Sequence, residues 1–264
     1  MPYLATAHER LFYALARNAP VRPERNLILV HGAGGNHTHW PPELRRLAGF
    51  NVYALDLPGH GRSPGNAYTE LNAYAETVLA FAEGLGLSAV TLVGHSMGGG
   101  IALLAAARQP GWLQRLVIIA SGVRLPVEAG ILDNLARAQA DAAAHSAALE
   151  RICQLAYGPT ANSALLHQGR RTLAQLAPAL LYADYLACSQ YDARDQAARV
   201  QVPSLVLVGA SDRLTPPSLG RQLGSILPKA QLVEMPDAGH MLVLERPQQT
   251  AQLIASWLDD ARPA

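Results

Sequence analysis

The feature that most constrains this chain is a series of short runs that are nearly all apolar, each stopped by a glycine or a turn. NLILV at 26–30 ends at His31-Gly32, and NVYAL at 51–55 ends at Asp56 and the turn Pro58-Gly59-His60-Gly61. Further runs lie at 89–93, 115–120, 204–208 and 231–235. A strand with one wet face alternates apolar and polar residues; these do not, which is the pattern of a parallel sheet covered on both faces. Helical spacing fills the intervals. Leu71, Tyr74, Ala75, Val78, Leu79, Ala82 and Leu85 recur on one face, and 97–108, 217–227 and 247–258 read as further helices. The expectation is an α/β fold with a mostly parallel central sheet and helices on both faces. Residues 3–16 read as an antiparallel hairpin at the sheet edge.

The rhythm breaks once. From about 122 to 198 no strand is evident, and Ala, Leu and Gln dominate, with helical spacing at 132–142 and 147–157. This segment reads as a helical lid inserted before the strand at 204–208. The domain reading is a core of 1–121 and 199–264, with 122–198 an insertion within one domain. Its leucines and Tyr157, Tyr182 and Tyr185 favour an apolar substrate group. Arg170 and Arg171 read as a solvated helix face.

Bulk properties exclude several roles. The 264 residues carry a net charge of +1, so neither a basic nucleic-acid face nor an acidic tail is expected. Cys153 and Cys188 make no disulfide framework and read as chance thiols. No secretory leader and no bilayer-spanning run is evident, so a cytoplasmic protein without a membrane partner is expected, its oligomeric state unread.

The run at 89–93 leads into Gly94-His95-Ser96-Met97-Gly98, with Gly99 and Gly100 after it. This is G-x-S-x-G between a strand and a helix. A serine at so sharp a corner stands clear of the sheet beside free helix N–H groups. A serine hydroxyl needs a base, and the base an orienting acid. His240 lies on the loop after 231–235, and Asp212 directly after 204–208. Both therefore leave the sheet at the edge that displays Ser96. Asp237 and Asp133 are weaker candidates for the acid, and His145 and His167 read as lid packing or surface. Asp212 could equally be a helix cap or turn residue. For the oxyanion, the backbone N–H groups of Met97 and Ala33 are expected donors, with Gly34 as fallback. Gly34, His95 and Met241 are candidate pocket residues. His37-Thr38-His39 lacks further ligands nearby, so neither a metal nor any cofactor is expected. HGAGG is no phosphate loop, since no GK[ST] follows.

The segments LVHGAGGN, LDLPGHGRS, VGHSMGG, LVGASDRLTP and DAGHMLVLERP stand in one order across nearly all of the chain outside the lid. With them the chain resembles the α/β-hydrolase superfamily, in its lidded esterase-like branch. The resemblance implies Ser96 as nucleophile, His240 as base, Asp212 as acid, and Ala33 and Met97 as oxyanion donors. It makes His60 and Arg62 structural, holding a turn near the site, and has His95 line the strand-to-helix corner. Serine at the nucleophile position argues against the haloalkane-dehalogenase and epoxide-hydrolase branches. The expected activity is that of a serine carboxylesterase acting on a small-to-medium apolar ester, a small-molecule substrate. The same triad could serve a C–C bond hydrolase, thioesterase, lactonase or perhydrolase, or the fold could be a non-catalytic ligand-binding module. C–C hydrolases of this type often have Asn before the serine, where this chain has His95.

Overall fold

A computed structural model of the chain describes residues 2–6, 9–18 and 25–260. Two antiparallel strands open it, β1 (Tyr3–Ala5) and β2 (Arg10–Arg17), with Tyr3 opposite Phe12. This is the expected edge hairpin, and residues 7 and 8 of its connection lie outside the described residues. Then follow β3 (Asn26–Val30), the short helix α1 (Pro42–Arg45) and β4 (Asn51–Leu55). The helix α2 (Leu71–Gly84) leads to β5 (Val90–His95), α3 (Met97–Ala106) and β6 (Leu113–Ile119). The eight-stranded sheet has the order β1-β2-β4-β3-β5-β6 and ends in β7 (Ser204–Gly209) and β8 (Ala230–Met235). From β4 onward every pairing is parallel, whereas β2 joins β4 antiparallel.

The nearly all-apolar runs are explained by two cores, one on each face. Ile28, Leu55, Leu92 and Ile118 point to α2 and α3, burying Tyr74, Phe81 and Ile101. The alternate residues Leu29, Ala54, Val93 and Val117 point the other way. There they meet Trp40, Leu44, and Ile254 and Leu258 of α11 (Pro247–Asp260). Burial of each large side chain contributes about 1.5–3 kcal/mol. β8 departs from the pattern. As the last strand it is only half covered, so Gln231, Leu232 and Glu234 are exposed and Met235 alone is fully buried.

Between β6 and β7 lie five helices: α4 (Ala129–Arg137), α5 (Ala142–Ala156), α6 (Ser163–Ala174), α7 (Pro178–Gln190) and α8 (Arg194–Ala197). The spacing at 132–142 suggested one helix, but the chain breaks at Asp141. The Asp141 carboxylate accepts the N–H groups of Ala143 and Ala144 at 2.9 and 3.1 Å, capping a new helix. Ile131, Leu149, Ile152, Leu181 and Tyr185 form a small core of their own. After β7 come α9 (Pro217–Ile226) and, past β8, the turn of helix α10 (Leu242–Glu245). No described helix is long and apolar enough to cross a membrane.

The chain visits β3, crosses to β4 on one side, then returns to place β5 on the other. At such a reversal of strand order a crevice opens beyond the C-terminal strand ends. The ends concerned are those of β3 and β5, which lead into HGAGG and into Ser96.

Candidate active site

Ser96 occupies the corner between β5 and α3 with φ 56° and ψ −121°, a conformation that costs an L residue about 1–3 kcal/mol. The close approach around it explains the flanking glycines. A Cβ at Gly94 would lie 2.1 Å from the Gly98 carbonyl oxygen, and one at Gly98 would lie 2.1 Å from that of Val30. Both obstacles are backbone and cannot turn aside. Gly98→Ala is therefore expected to destabilise the fold by about 3 kcal/mol or more, read as the shift in urea midpoint. A midpoint within error of the parent's would disprove that account of the corner.

His240 sits past β8 and is almost fully buried. Its Nδ1–H donates to Asp212 Oδ2 at 2.9 Å. The other carboxylate oxygen, Oδ1, accepts the N–H groups of Leu214 and Thr215 at 2.9 and 2.7 Å. One oxygen of Asp212 thus makes the turn's hydrogen bonds, and the other faces His240. The weaker candidates stand apart: Asp133 is exposed on α4, and Asp237 is exposed with its carbonyl accepting from Thr160. The His240 loop is held from behind. His95 Nε2–H donates to the His240 carbonyl at 2.9 Å, and Glu245 accepts the N–H groups of Gly239 and Gly158. His95 thereby does more than line the corner, and burial, then the neighbouring His39, holds it well below the usual imidazole range. Among the described residues no hydrogen bond joins Ser96 to His240; the two side chains face one cavity. Such contacts are commonly long without substrate and tighten in the reacting complex.

The loop after β3 passes directly over the serine, a Cβ at Gly32 falling 3.1 Å from Ser96 Cβ. The Gly32 carbonyl accepts from Gly35 N–H at 3.0 Å and from His31 Nδ1–H at 2.8 Å. His31 Nε2 in turn accepts the Leu57 N–H at 3.2 Å, which fixes the neutral tautomer. Burial, then His60, holds His31 well below the ordinary imidazole pKa, in agreement. In a trans peptide the N–H points opposite to the carbonyl. With the Gly32 carbonyl held by those two donors, the Ala33 N–H is turned away from them. Gly34 is a different matter. Its N–H donates to Asp184 Oδ2 at 2.7 Å, so the fallback oxyanion donor is already engaged.

Two cavities meet at Ser96. The first, about 180 Å³, is lined by His240, Met241, Gly34, His95 and His39 together with Ile152, Tyr157, Leu165 and Leu173 from the helices above. The second, about 200 Å³, is lined by Leu125, Val127, Ile131, Leu155, Tyr185 and Leu214. Ser96 and Ala33 border both; His240 borders only the first. Cys153 and Cys188 are free thiols, one on each cavity. Arg170 and Arg171 are exposed, as is His167, while His145 is half-buried on α5.

No group of three or more His, Cys, Asp or Glu side chains able to hold a metal lies among the described residues. His37 Nδ1 is on Asp56 at 2.9 Å, and His39 packs against the His95 ring at 4.8 Å. Burial, then His240, lowers the His39 pKa to about 4. His60 is structural, as foreseen, but its partner Asp184 was not foreseen. Neither were the roles of His31 and Glu245. The available signal for Asp184 was that it is the one charged residue in α7.

A family model described as the alpha/beta hydrolase family matches residues 27–253. The chain is 31% identical over 243 residues to the pimeloyl-[acyl-carrier protein] methyl ester esterase of Chromobacterium violaceum, covering 89% of this chain and 94% of that protein. It is 27% identical over 256 residues to lipase 3 of a Moraxella species, covering 92% and 79%. The solved enol-lactonase of Burkholderia xenovorans superposes with a TM-score of 0.87 at 22% identity, over 98% of this chain and 100% of that one, a likeness of fold.

Proposed function

We propose that this chain, which belongs to the alpha/beta hydrolase family and is a carboxylic ester hydrolase, cleaves a small-to-medium apolar ester through an acyl-Ser96 intermediate. His240 Nε2 takes the Ser96 proton as Oγ attacks the ester carbonyl. The N–H groups of Ala33 and Met97 hold the oxyanion, each worth roughly 3–4 kcal/mol in the transition state. His240 then gives its proton to the departing alkoxide, and water, deprotonated by His240, releases the acid and restores Ser96. Asp212 keeps the imidazole in the tautomer whose Nε2 is free to accept. Residues 122–198 act as the lid of a core made by 1–121 and 199–264.

The observation that carries this reading is the position of Ser96 between two cavities, with the Asp212-bound His240 on one side only. The leaving oxygen must face the group that protonates it. The alcohol therefore occupies the first cavity, where Met241 and His95 lie, and the acyl group the second. A dry cavity of about 150 Å³ holds a benzene-sized group. At about 200 Å³ the second cavity suits an acyl chain of somewhat more than six carbons. Relatives named for a methyl ester agree with the ester bond as target.

The test is steady-state hydrolysis of p-nitrophenyl esters from acetate to dodecanoate, beside a dienoate ring-cleavage product. The expected kcat/KM rises with acyl length to about six to eight carbons and falls beyond. Turnover of the dienoate alone would replace the ester reading with C–C hydrolysis. Fluorophosphonate labelling should map to Ser96, and an unlabelled, inactive protein would favour a binding module.

A further inference from the structure

Asp184 is completely buried on an otherwise uncharged helix, and its carboxylate gathers donors from distant parts of the chain. Oδ2 accepts the Gly34 N–H at 2.7 Å and His60 Nε2–H at 2.8 Å, and Oδ1 accepts the Tyr74 hydroxyl at 3.0 Å. The Tyr74 oxygen itself accepts the Tyr68 N–H at 2.8 Å. The second ring nitrogen of His60, Nδ1, faces the Pro58 carbonyl at 2.9 Å. Both His60 nitrogens therefore face acceptors, and only the imidazolium donates from both. Burial opposes that charge, but Asp184, the Pro58 carbonyl and Asp56 together outweigh it, and His60 titrates above its ordinary value. The result is a buried ion pair whose remaining hydrogen-bonding capacity is spent on Tyr74 and on the loop that passes over Ser96.

We infer that Asp184 is a positioning residue for the oxyanion site, holding the Ala33–Gly34 peptide from a helix of the lid segment. The inference rests on the reading of Ala33 as an oxyanion donor. Ala33 lies between two restrained peptides. On one side the Gly32 carbonyl is held by His31 and Gly35; on the other the Gly34 N–H is held by Asp184. The sequence HGAGG offers this loop only one methyl group with which to pack between its glycines. Its closeness to Ser96 leaves no space for larger side chains, so hydrogen bonds from outside must fix it. An anchor reaching in from α7 does this without occupying the cavity. It also makes the oxyanion donor depend on that helix being seated. Loss of the carboxylate releases the Gly34 N–H, and the Ala33–Gly34 peptide, free to turn, shifts through the shared Ala33 Cα the neighbouring Gly32–Ala33 peptide that carries the donor N–H. The substrate's apolar contacts, made by other residues, stay as they were. Stabilisation is then lost in the transition state and not in the ground state, which moves kcat and leaves KM.

Asp184→Asn and Tyr74→Phe test this with a p-nitrophenyl ester, an alkyl boronic acid and a thermal melt. The boronic acid adds to Ser96 as a tetrahedral adduct and reports the donors directly. Asp184→Asn is expected to lower kcat about 30-fold with KM within about twofold, and to weaken boronate inhibition by a similar factor. Tyr74→Phe, which leaves Oδ2 on Gly34, is expected to move kcat and boronate affinity together by about threefold. A purely structural role would lower the melting temperature and move neither kinetic quantity. That result, or a rise in KM at constant kcat, overturns the inference. Should Asp184→Asn fail to fold, Tyr74→Phe decides alone, and unchanged kcat and boronate affinity there overturn it. A wild type that hydrolyses no ester and takes up no fluorophosphonate sinks the catalytic reading itself, whereas active wild type with unaltered variants sinks only the role of Asp184.

Discussion

Ser96→Ala is expected to lower kcat for ester hydrolysis by about 10⁴-fold or more while leaving the fold intact. The substitution removes one oxygen. The Cβ that packs near Gly32 remains, and alanine meets the same backbone cost at φ 56° as serine does. The His240–Asp212 hydrogen bond and the Ala33 loop do not depend on the hydroxyl, so the melting temperature should hardly move. What disappears is the acyl-enzyme and with it the two-step path. Residual turnover should come from the oxyanion donors and substrate binding, which alone give roughly 10³–10⁴ over water in triad enzymes. Residues that act as a unit are not additive. The double variant Ser96→Ala, His240→Ala should therefore be about as slow as Ser96→Ala alone. A Ser96→Ala enzyme within tenfold of the parent, or a double variant slower by the product of the two single effects, would mean that Ser96 and His240 do not share one reaction coordinate.

The residues that carry this expectation were legible in the sequence for a definite reason. Ser96, Asp212 and His240 each lie on the turn or loop just after an apolar run, and a parallel sheet brings the ends of all such runs to one edge. The runs were recognisable because two cores cover both faces of the sheet, leaving Leu92 and Val93 equally buried on opposite sides. β8 reads differently because it is the last strand and α9 covers it only in part: Leu232 lies beside Gly224 of α9 yet stays exposed where an inner strand would bury it. The supports of the site were not legible. Asp184 meets Gly34 across 150 positions of sequence, and the contact depends on how α7 packs, which no local pattern encodes. His31 looked like a strand terminator, since its role is to fix a tautomer and a carbonyl. The preference for Ala33 over Gly34 as proposed donor rests on the directions of two neighbouring peptide planes. A string of glycines with one alanine carries no information about those directions.

Asp212→Asn is expected to be nearly as severe, about 10⁴-fold in kcat, although it changes neither size nor shape. The reason lies in the two amides that hold the carboxylate. Leu214 N–H and Thr215 N–H both point at Oδ1, at 2.9 and 2.7 Å. An asparagine in this place must present its carbonyl oxygen to them, because its NH₂ has no lone pair to offer. The NH₂ then falls where Oδ2 stood, 2.9 Å from His240 Nδ1. Two donors cannot face each other there, so the imidazole moves its proton to Nε2 and Nδ1 becomes the acceptor. Nε2, the atom proposed to take the Ser96 proton, is then occupied. The hydrogen bonds of the turn survive, so the variant should melt close to the parent. Its fluorophosphonate labelling should slow along with kcat, since both need the same base. If Asp212→Asn instead kept more than a tenth of the activity, the tautomer of His240 would have to be set elsewhere. Asp237 and Asp133, the other carboxylates considered for the acid, are both exposed. The His240 carbonyl, held by His95, would then be the restraint that orients the ring. Combining Asp212→Asn with His95→Phe separates these cases: a loss confined to Asp212 places the orienting charge there, and a loss that appears only in the pair assigns it to the backbone clamp.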